Sequence, residues 1–225
     1  MSEKRYRKTK IMEYCRGKNV LHLGFVQHND WERKIQEGDW LHEKINDVAK
    51  RLIGIDYMEE AVEIIRDRYS YEVYYADVTN SNDMMRIRDK CKDVPIQVII
   101  CGELIPQVDN PGIMLDNIKM FMDKETILVI TAPNPWSYDR VGLIKNGVYE
   151  SEWLNTFHVS WYTHQTLKQL LERFGYREMD YGYYYSDREI SAPAWKRWIK
   201  AIIPLKRWNY PEAMYDGLFF VSKRS

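Results

Sequence analysis

Five short apolar runs, Asn19–Leu23, Arg51–Ile55, Glu72–Tyr75, Gln97–Cys101 and Thr126–Thr131, alternate with amphipathic stretches along most of the chain, and a sixth, Leu218–Ser222, lies near its end. Runs that are apolar nearly throughout suit strands covered on both faces, and that burial requires helices on either side of a mostly parallel sheet. The intervening stretches carry helical spacing. Trp31–Lys50 is the longest, with Asn29 or Asp30 available as a cap. Met58–Arg68 places Met58, Ala61, Val62 and Ile65 on one face. Pro111–Met122 opens with a proline suited to a first turn, and Thr163–Phe174 repeats Leu167, Leu170, Leu171 and Phe174 before Gly175. These features predict one α/β domain spanning residues 1–225.

Two segments break the rhythm. Asn134–Ser160 holds Pro135, Gly142 and Gly147 with too little periodicity for a regular element, and a loop of that length is often a lid or binding loop. A second insertion, at about 191–210, precedes the last strand. Just before it, Tyr181-Gly182-Tyr183-Tyr184-Tyr185 reads as an aromatic strand.

Charge narrows the partners. The 225 residues carry 33 basic and 33 acidic side chains, whereas a chain that grips a phosphate backbone normally has a basic excess; nucleic acid is not an expected partner. Cys15, Cys91 and Cys101 have neither disulfide nor zinc spacing. No run approaches the length of a membrane span, and no apolar stretch follows the basic residues near the start, so a cytoplasmic protein is expected.

The strand ends carry the chemistry. Gly24 follows the first run, where a glycine lets backbone approach a ligand. Asp56 ends the second and suits two ribose hydroxyls, with the cap of the next helix as the alternative. Asp77 follows the third and suits an exocyclic adenine amine, or a turn. The full G-x-G-x-x-G cradle for a pyrophosphate is missing. A nucleoside without phosphates needs less of that cradle and more acids, which favours S-adenosylmethionine over NAD.

With these motifs, Val20–Gly24, Leu52–Asp56, Ala76-Asp77-Val78, Gln97–Gly112, Val129–Asn134 and His158–Tyr176, the chain resembles class I S-adenosylmethionine-dependent methyltransferases, in the branch that modifies sugars, polysaccharides and other small molecules. The resemblance implies a Rossmann-like, seven-stranded, mostly parallel sheet with an antiparallel last pair and helices on both faces. It implies that Asp56 holds the ribose, that Asp77 lies at the adenine amine, and that Cys101-Gly102 lies near the methionine part. His22, Gly24, Phe25, Tyr57 and Val78 complete the expected cofactor wall. The family's first motif usually reads acid-x-Gly-x-Gly-x-Gly; here only Gly24 remains, with His22 at the acid and Val26 and His28 at glycines.

After the fourth strand, relatives often read Glu-x-x-Glu-His. This chain keeps Glu103 but has Pro106 and Gln107, a poor set for a divalent ion, so no metal is expected. Glu103 and Gln107 remain candidates for orienting a substrate or cofactor amine. His158, before the Thr163 helix, is the candidate base for a hydroxyl acceptor, and a loop-bracing histidine is the alternative. His28, His42 and His164 have weaker claims, as a cofactor neighbour, a surface or packing residue and a first-turn residue. No nucleophile elbow, zinc helix motif or Walker loop competes. The segment 195–208 interleaves Trp195, Trp198 and Trp208 with five basic residues and no acid; it suits an anionic lipid surface, a dimer contact, a cap over the acceptor, or a packed helix with snorkelling lysines. The expected function is methyl transfer to a small molecule, a sugar or polysaccharide intermediate; a non-catalytic scaffold and an RNA or protein methyltransferase are the alternatives.

Overall fold

The computed structural model describes residues 7–27, 30–148, 155–185 and 211–225. Seven strands form one sheet in the order β3-β2-β1-β4-β5-β7-β6: β1 (Asn19–Leu23), β2 (Arg51–Asp56), β3 (Val73–Tyr75), β4 (Val98–Gly102), β5 (Ile127–Pro133), β6 (Tyr176–Tyr184) and β7 (Gly217–Arg224). The pairs among β1 to β5 are parallel, and β7 runs antiparallel to both β5 and β6. The aromatic run near Tyr181 belongs to β6, which is longer than the tyrosines alone suggest.

Alternation along each strand explains the apolar runs. Leu21, Leu23, Ile99, Cys101, Leu128 and Ile130 enter one core, while Val20, Val98, Ile100 and Val129 enter the core on the other face. The first core is closed by α5 (Ser81–Lys90), α6 (Pro111–Ile118) and α8 (His164–Arg173), through Met84, Ile87, Met114, Leu115, Leu167 and Leu171. The second is closed by α1 (Arg7–Cys15) and α3 (Leu41–Asn46), through Ile11, Cys15, Leu41 and Ile45. Burying an aliphatic side chain of this size contributes about 1.5–3 kcal/mol, so both faces drive assembly. A third cluster joins Phe25, Trp31 and Trp40 to Val62 and Ile65 of α4 (Glu59–Tyr69).

Several helices depart from the sequence expectation. The stretch 31–50 is two helices, α2 (Trp31–Gln36) and α3. Gly38, at φ +61°, ends α2: its N–H donates to Ile35 O and the Asp39 N–H donates to Lys34 O, the paired bonds of a Schellman ending. The chain then extends so that Trp40 enters the core and its indole N–H donates to Phe25 O at 3.0 Å. Asp30 sits at the cap position of α2, but its carboxylate takes Arg33 rather than a backbone N–H. Within 134–160 the helix α7 (Tyr138–Lys145) forms; none of its residues is buried, so it carries no apolar face for a periodicity reading to find. Pro111–Met122 is α6 followed by a single 3-10 turn over Lys119–Phe121. Thr163 caps α8 in a reciprocal capping box with Thr166. His28 and the 195–208 segment lie outside the described residues. Among the described residues, no helix is long and apolar enough to cross a membrane.

Gly54 in β2 has no room for a side chain: a Cβ there would lie 2.9 Å from atoms of Phe25, His42 and Val73 alike. Gly54→Ala is expected to destabilise the protein by about 1–3 kcal/mol. At about 2–4 °C per kcal/mol for a chain of this size, differential scanning calorimetry should show the fall in melting temperature. An unchanged melting temperature would contradict this packing.

Candidate active site

The strand order places β1 between β2 and β4, where chain connections leave to opposite sides, and a crevice opens beyond the carboxyl ends of the strands. Two neighbouring clefts lie there, of about 410 and 280 Å³. They share Gly24, Asp56, Tyr57, Leu104, Gln107 and Phe157. The larger adds Arg7, Gln27, Lys34, Gly102, Glu103 and Asn155, and the smaller adds Ala76, Asp77, Val78 and Thr79.

Gly24 turns the chain at the top of β1. Its φ of +67° suits glycine, and a Cβ would meet Leu104 at 3.1 Å. Asp56 is 5% exposed. Its Oδ2 accepts from the Val26 N–H at 2.9 Å and its Oδ1 from the Met58 N–H at 3.1 Å. Burial raises its pKa, opposed by these backbone donors. Each carboxylate oxygen takes two donors, so Asp56 can brace both loops and still accept from a ligand hydroxyl. Asp77 is exposed, and its Oδ1 accepts from the backbone N–H and hydroxyl of Thr79, the turn alternative raised by the sequence. It lines the smaller cleft all the same.

Glu103 stands at φ +59°, in the left-handed region that a non-glycine residue seldom takes. Its N–H donates to Thr131 O at 2.9 Å and approaches Thr131 Oγ1 at 3.1 Å. The Tyr184 hydroxyl donates to its Oε1 at 2.9 Å, and Arg7 Nε lies 3.7 Å from the same oxygen. Two glycines admit these partners. A Cβ at Gly217 would overlap the Tyr184 ring, and one at Gly102 would lie 2.9 Å from Arg7 Nη2. Burial alone would raise the Glu103 carboxyl, but Arg7, the Tyr184 hydroxyl, His158 and Arg140 outweigh it and hold its pKa below the usual value. With 38% of the side chain exposed, it presents a carboxylate to the larger cleft.

His158 is off the wall of both clefts, although its neighbour Phe157 is on both. Its segment is stapled to the turn after β4, because the N–H groups of Val159 and Ser160 donate to Pro106 O. Its ring meets Trp161 edge-on at 5.8 Å, and Trp161 in turn stacks under Arg140. Gln107 donates through Nε2 to Glu103 O at 2.9 Å.

Three of the residues expected at the cofactor turn their side chains into the core, although for Cys101 the expectation concerned its backbone. His22 shares strand parity with Val20, so its side chain enters the face toward α3, where its Nδ1 lies 3.1 Å from Nδ1 of the buried His42. Phe25 is fully buried against Trp40 and His42. Cys101 is fully buried, and burial raises its thiol to about 12, leaving an inert sulfur. Sequence reasoning passed over Arg7, Lys34, Thr131 and Leu104. Arg7 and Thr131 meet across 124 residues, a distance that no local pattern reports.

A family model described as a methyltransferase domain matches residues 28–179. The chain belongs to that methyltransferase family. Among solved structures, a SAM-dependent methyltransferase from Archaeoglobus fulgidus is 16% identical over 96% of this chain and 90% of that one, with a TM-score of 0.58. A S-adenosylmethionine-dependent methyltransferase from Mesorhizobium loti is 14% identical over 96% and 95%, with a TM-score of 0.54. A [4+2]-cyclase is 13% identical over 96% and 80%, also at 0.54, so likeness at this level establishes the fold alone. No curated protein matches the chain.

The His22–His42 pair makes stability depend on pH. Burial, with Arg7 adding to it, lowers His22 to about 3, and burial with His22 nearby lowers His42 well below its ordinary value. Both imidazoles fold neutral, so the unfolded chain binds more protons below about pH 6.5. Their contribution is intact above that pH and is lost as pH falls toward 3. Urea titrations should show the wild type losing about 1.4 kcal/mol per pH unit per imidazole below pH 6.5, relative to a His22→Leu/His42→Leu variant. Parallel pH profiles for the two proteins would contradict it.

Proposed function

We propose that this methyltransferase uses S-adenosylmethionine and methylates a small molecule, a sugar or polysaccharide intermediate. The observation that carries the reading is the meeting of the two clefts at Gly24, Asp56 and Leu104, with Asp77 at one end and Glu103 at the other. The fit is chemical. Asp56 has acceptor capacity for ribose hydroxyls, Asp77 an exposed carboxylate for an adenine amine, and Gly24 leaves room for close approach. Glu103, kept ionised, suits an ammonium group. Gly102 and Cys101 contribute backbone there.

The bound cofactor supplies an electrophilic methyl on a sulfonium, and the protein's task is to hold an acceptor in line and keep water out. Tyr57 and Phe157, 56% and 47% exposed on the cleft walls, offer flat apolar faces to a sugar ring. Gln107 and Asn155 offer polar groups to its hydroxyls. As an acceptor hydroxyl gains the methyl it loses a proton, and His158, in the segment that carries Phe157 onto this wall, is the candidate base to take it.

Calorimetric titration with S-adenosylhomocysteine tests the cofactor reading. Asp56→Asn is expected to weaken binding about 10- to 100-fold, the cost of charge-assisted hydrogen bonds to the ribose, in a variant whose melting confirms folding. Absence of binding by the wild type would refute the reading. For the base, His158→Ala should abolish the acidic limb of the pH–rate profile, and an unchanged profile would remove it from the mechanism.

A further inference from the structure

We propose that Arg7 and Lys34, on the wall of the larger cleft, bind the carboxylate at the amino-acid end of the S-adenosyl cofactor. The inference rests on the cofactor reading above.

The loop is the first observation. It keeps one glycine, and two of its described amides are engaged within the protein: the Gly24 N–H donates to Ile55 O and the Val26 N–H donates to Asp56. A carboxylate arriving at this end of the larger cleft meets side-chain donors on its wall. Arg7 is the second. It reaches in from α1 across Gly102, whose missing Cβ makes the space. Its Nε edge is anchored on Thr131 Oγ1 at 3.2 Å and faces Glu103, its side chain is only 12% exposed, and it lies on the wall of the larger cleft. An anchored, planar guanidinium suits a carboxylate.

Lys34 is the third. It lies on the same wall, and its Nζ donates to Gln27 Oε1 at 3.1 Å. Burial lowers its pKa and the charge of Arg7 lowers it further, while Asp30 raises it, so an incoming anion would relieve the mutual strain of two cations. Asp30, also on this wall, is engaged by Arg33 at 2.9 Å. Glu103 completes the arrangement. Cations and a carboxylate in one cleft match the two charges of an amino-acid zwitterion.

Two ligands separate this inference from the cofactor reading. S-adenosylhomocysteine carries the amino-acid end, and 5′-methylthioadenosine is the same nucleoside thioether without it. Calorimetry on the whole chain should show the wild type preferring S-adenosylhomocysteine. Arg7→Gln and Lys34→Gln should each lose about 10- to 100-fold in affinity for it, the worth of a charged hydrogen bond, with 5′-methylthioadenosine binding unchanged. Arg7→Lys should recover part of the loss. If Arg7→Gln fails to fold, Lys34→Gln, at a half-buried position of α2, decides. Equal affinity of the wild type for both ligands would overturn the inference and leave the cofactor reading standing, as would equal loss of both ligands in the variants. Unchanged S-adenosylhomocysteine affinity with a raised KM for the acceptor would overturn it in favour of an anionic acceptor. Absence of binding by either ligand would overturn both.

Discussion

Burial of the central strands on both faces is the constraint from which the remaining features follow. Because β1, β4 and β5 lie between two helical layers, their side chains are committed to one core or the other, and only the strand ends are left for polar chemistry. The order β2-β1-β4 then brings the ends carrying Gly24, Asp56 and Gly102 to one crevice. Of the polar groups that remain inside, Asp56 takes two backbone donors, and His22 pairs with His42 through Nδ1.

That commitment has a consequence for the loop after β1. In place of a glycine-rich cradle it has Phe25 and Val26, both fully buried, and the side chains that fill the core draw the backbone inward onto Asp56. The cationic groups on the wall of the larger cleft come from side chains elsewhere in the chain, Arg7 from the first helix and Lys34 from the second. Tyr184, crossing Gly217, keeps Glu103 oriented from the far side of the sheet. The candidate active site is thus assembled largely by contacts between distant parts of the chain.

This explains what could be read from the sequence. The run Asn19–Leu23 was legible to the residue, because a strand buried on both faces is apolar nearly throughout and here is followed by Gly24. Gly24, Asp56 and Asp77 were legible by their positions at strand ends, and the structure puts all three on cleft walls. The break at Gly38 was not, since Trp31–Lys50 keeps helical spacing across it and the break depends on Trp40 reaching Phe25. Nor was α7, which buries nothing and is held by Arg140 donating to Asn134 O and Asp216 O. His22 was misread because its strand position suggested the cleft while its parity sends it into the core against a residue 20 positions away.

Amide hydrogen exchange with and without S-adenosylhomocysteine tests the central claim, that a nucleoside binds along the carboxyl ends of the strands. The account predicts added protection confined to the segments around Gly24–Gln27, Asp56–Met58, Asp77–Thr79 and Gly102–Gln107. Protection that falls instead at the opposite ends of the strands, in the cleft between Cys91–Ile96 and Met120–Asp123 that precede β4 and β5, would contradict it.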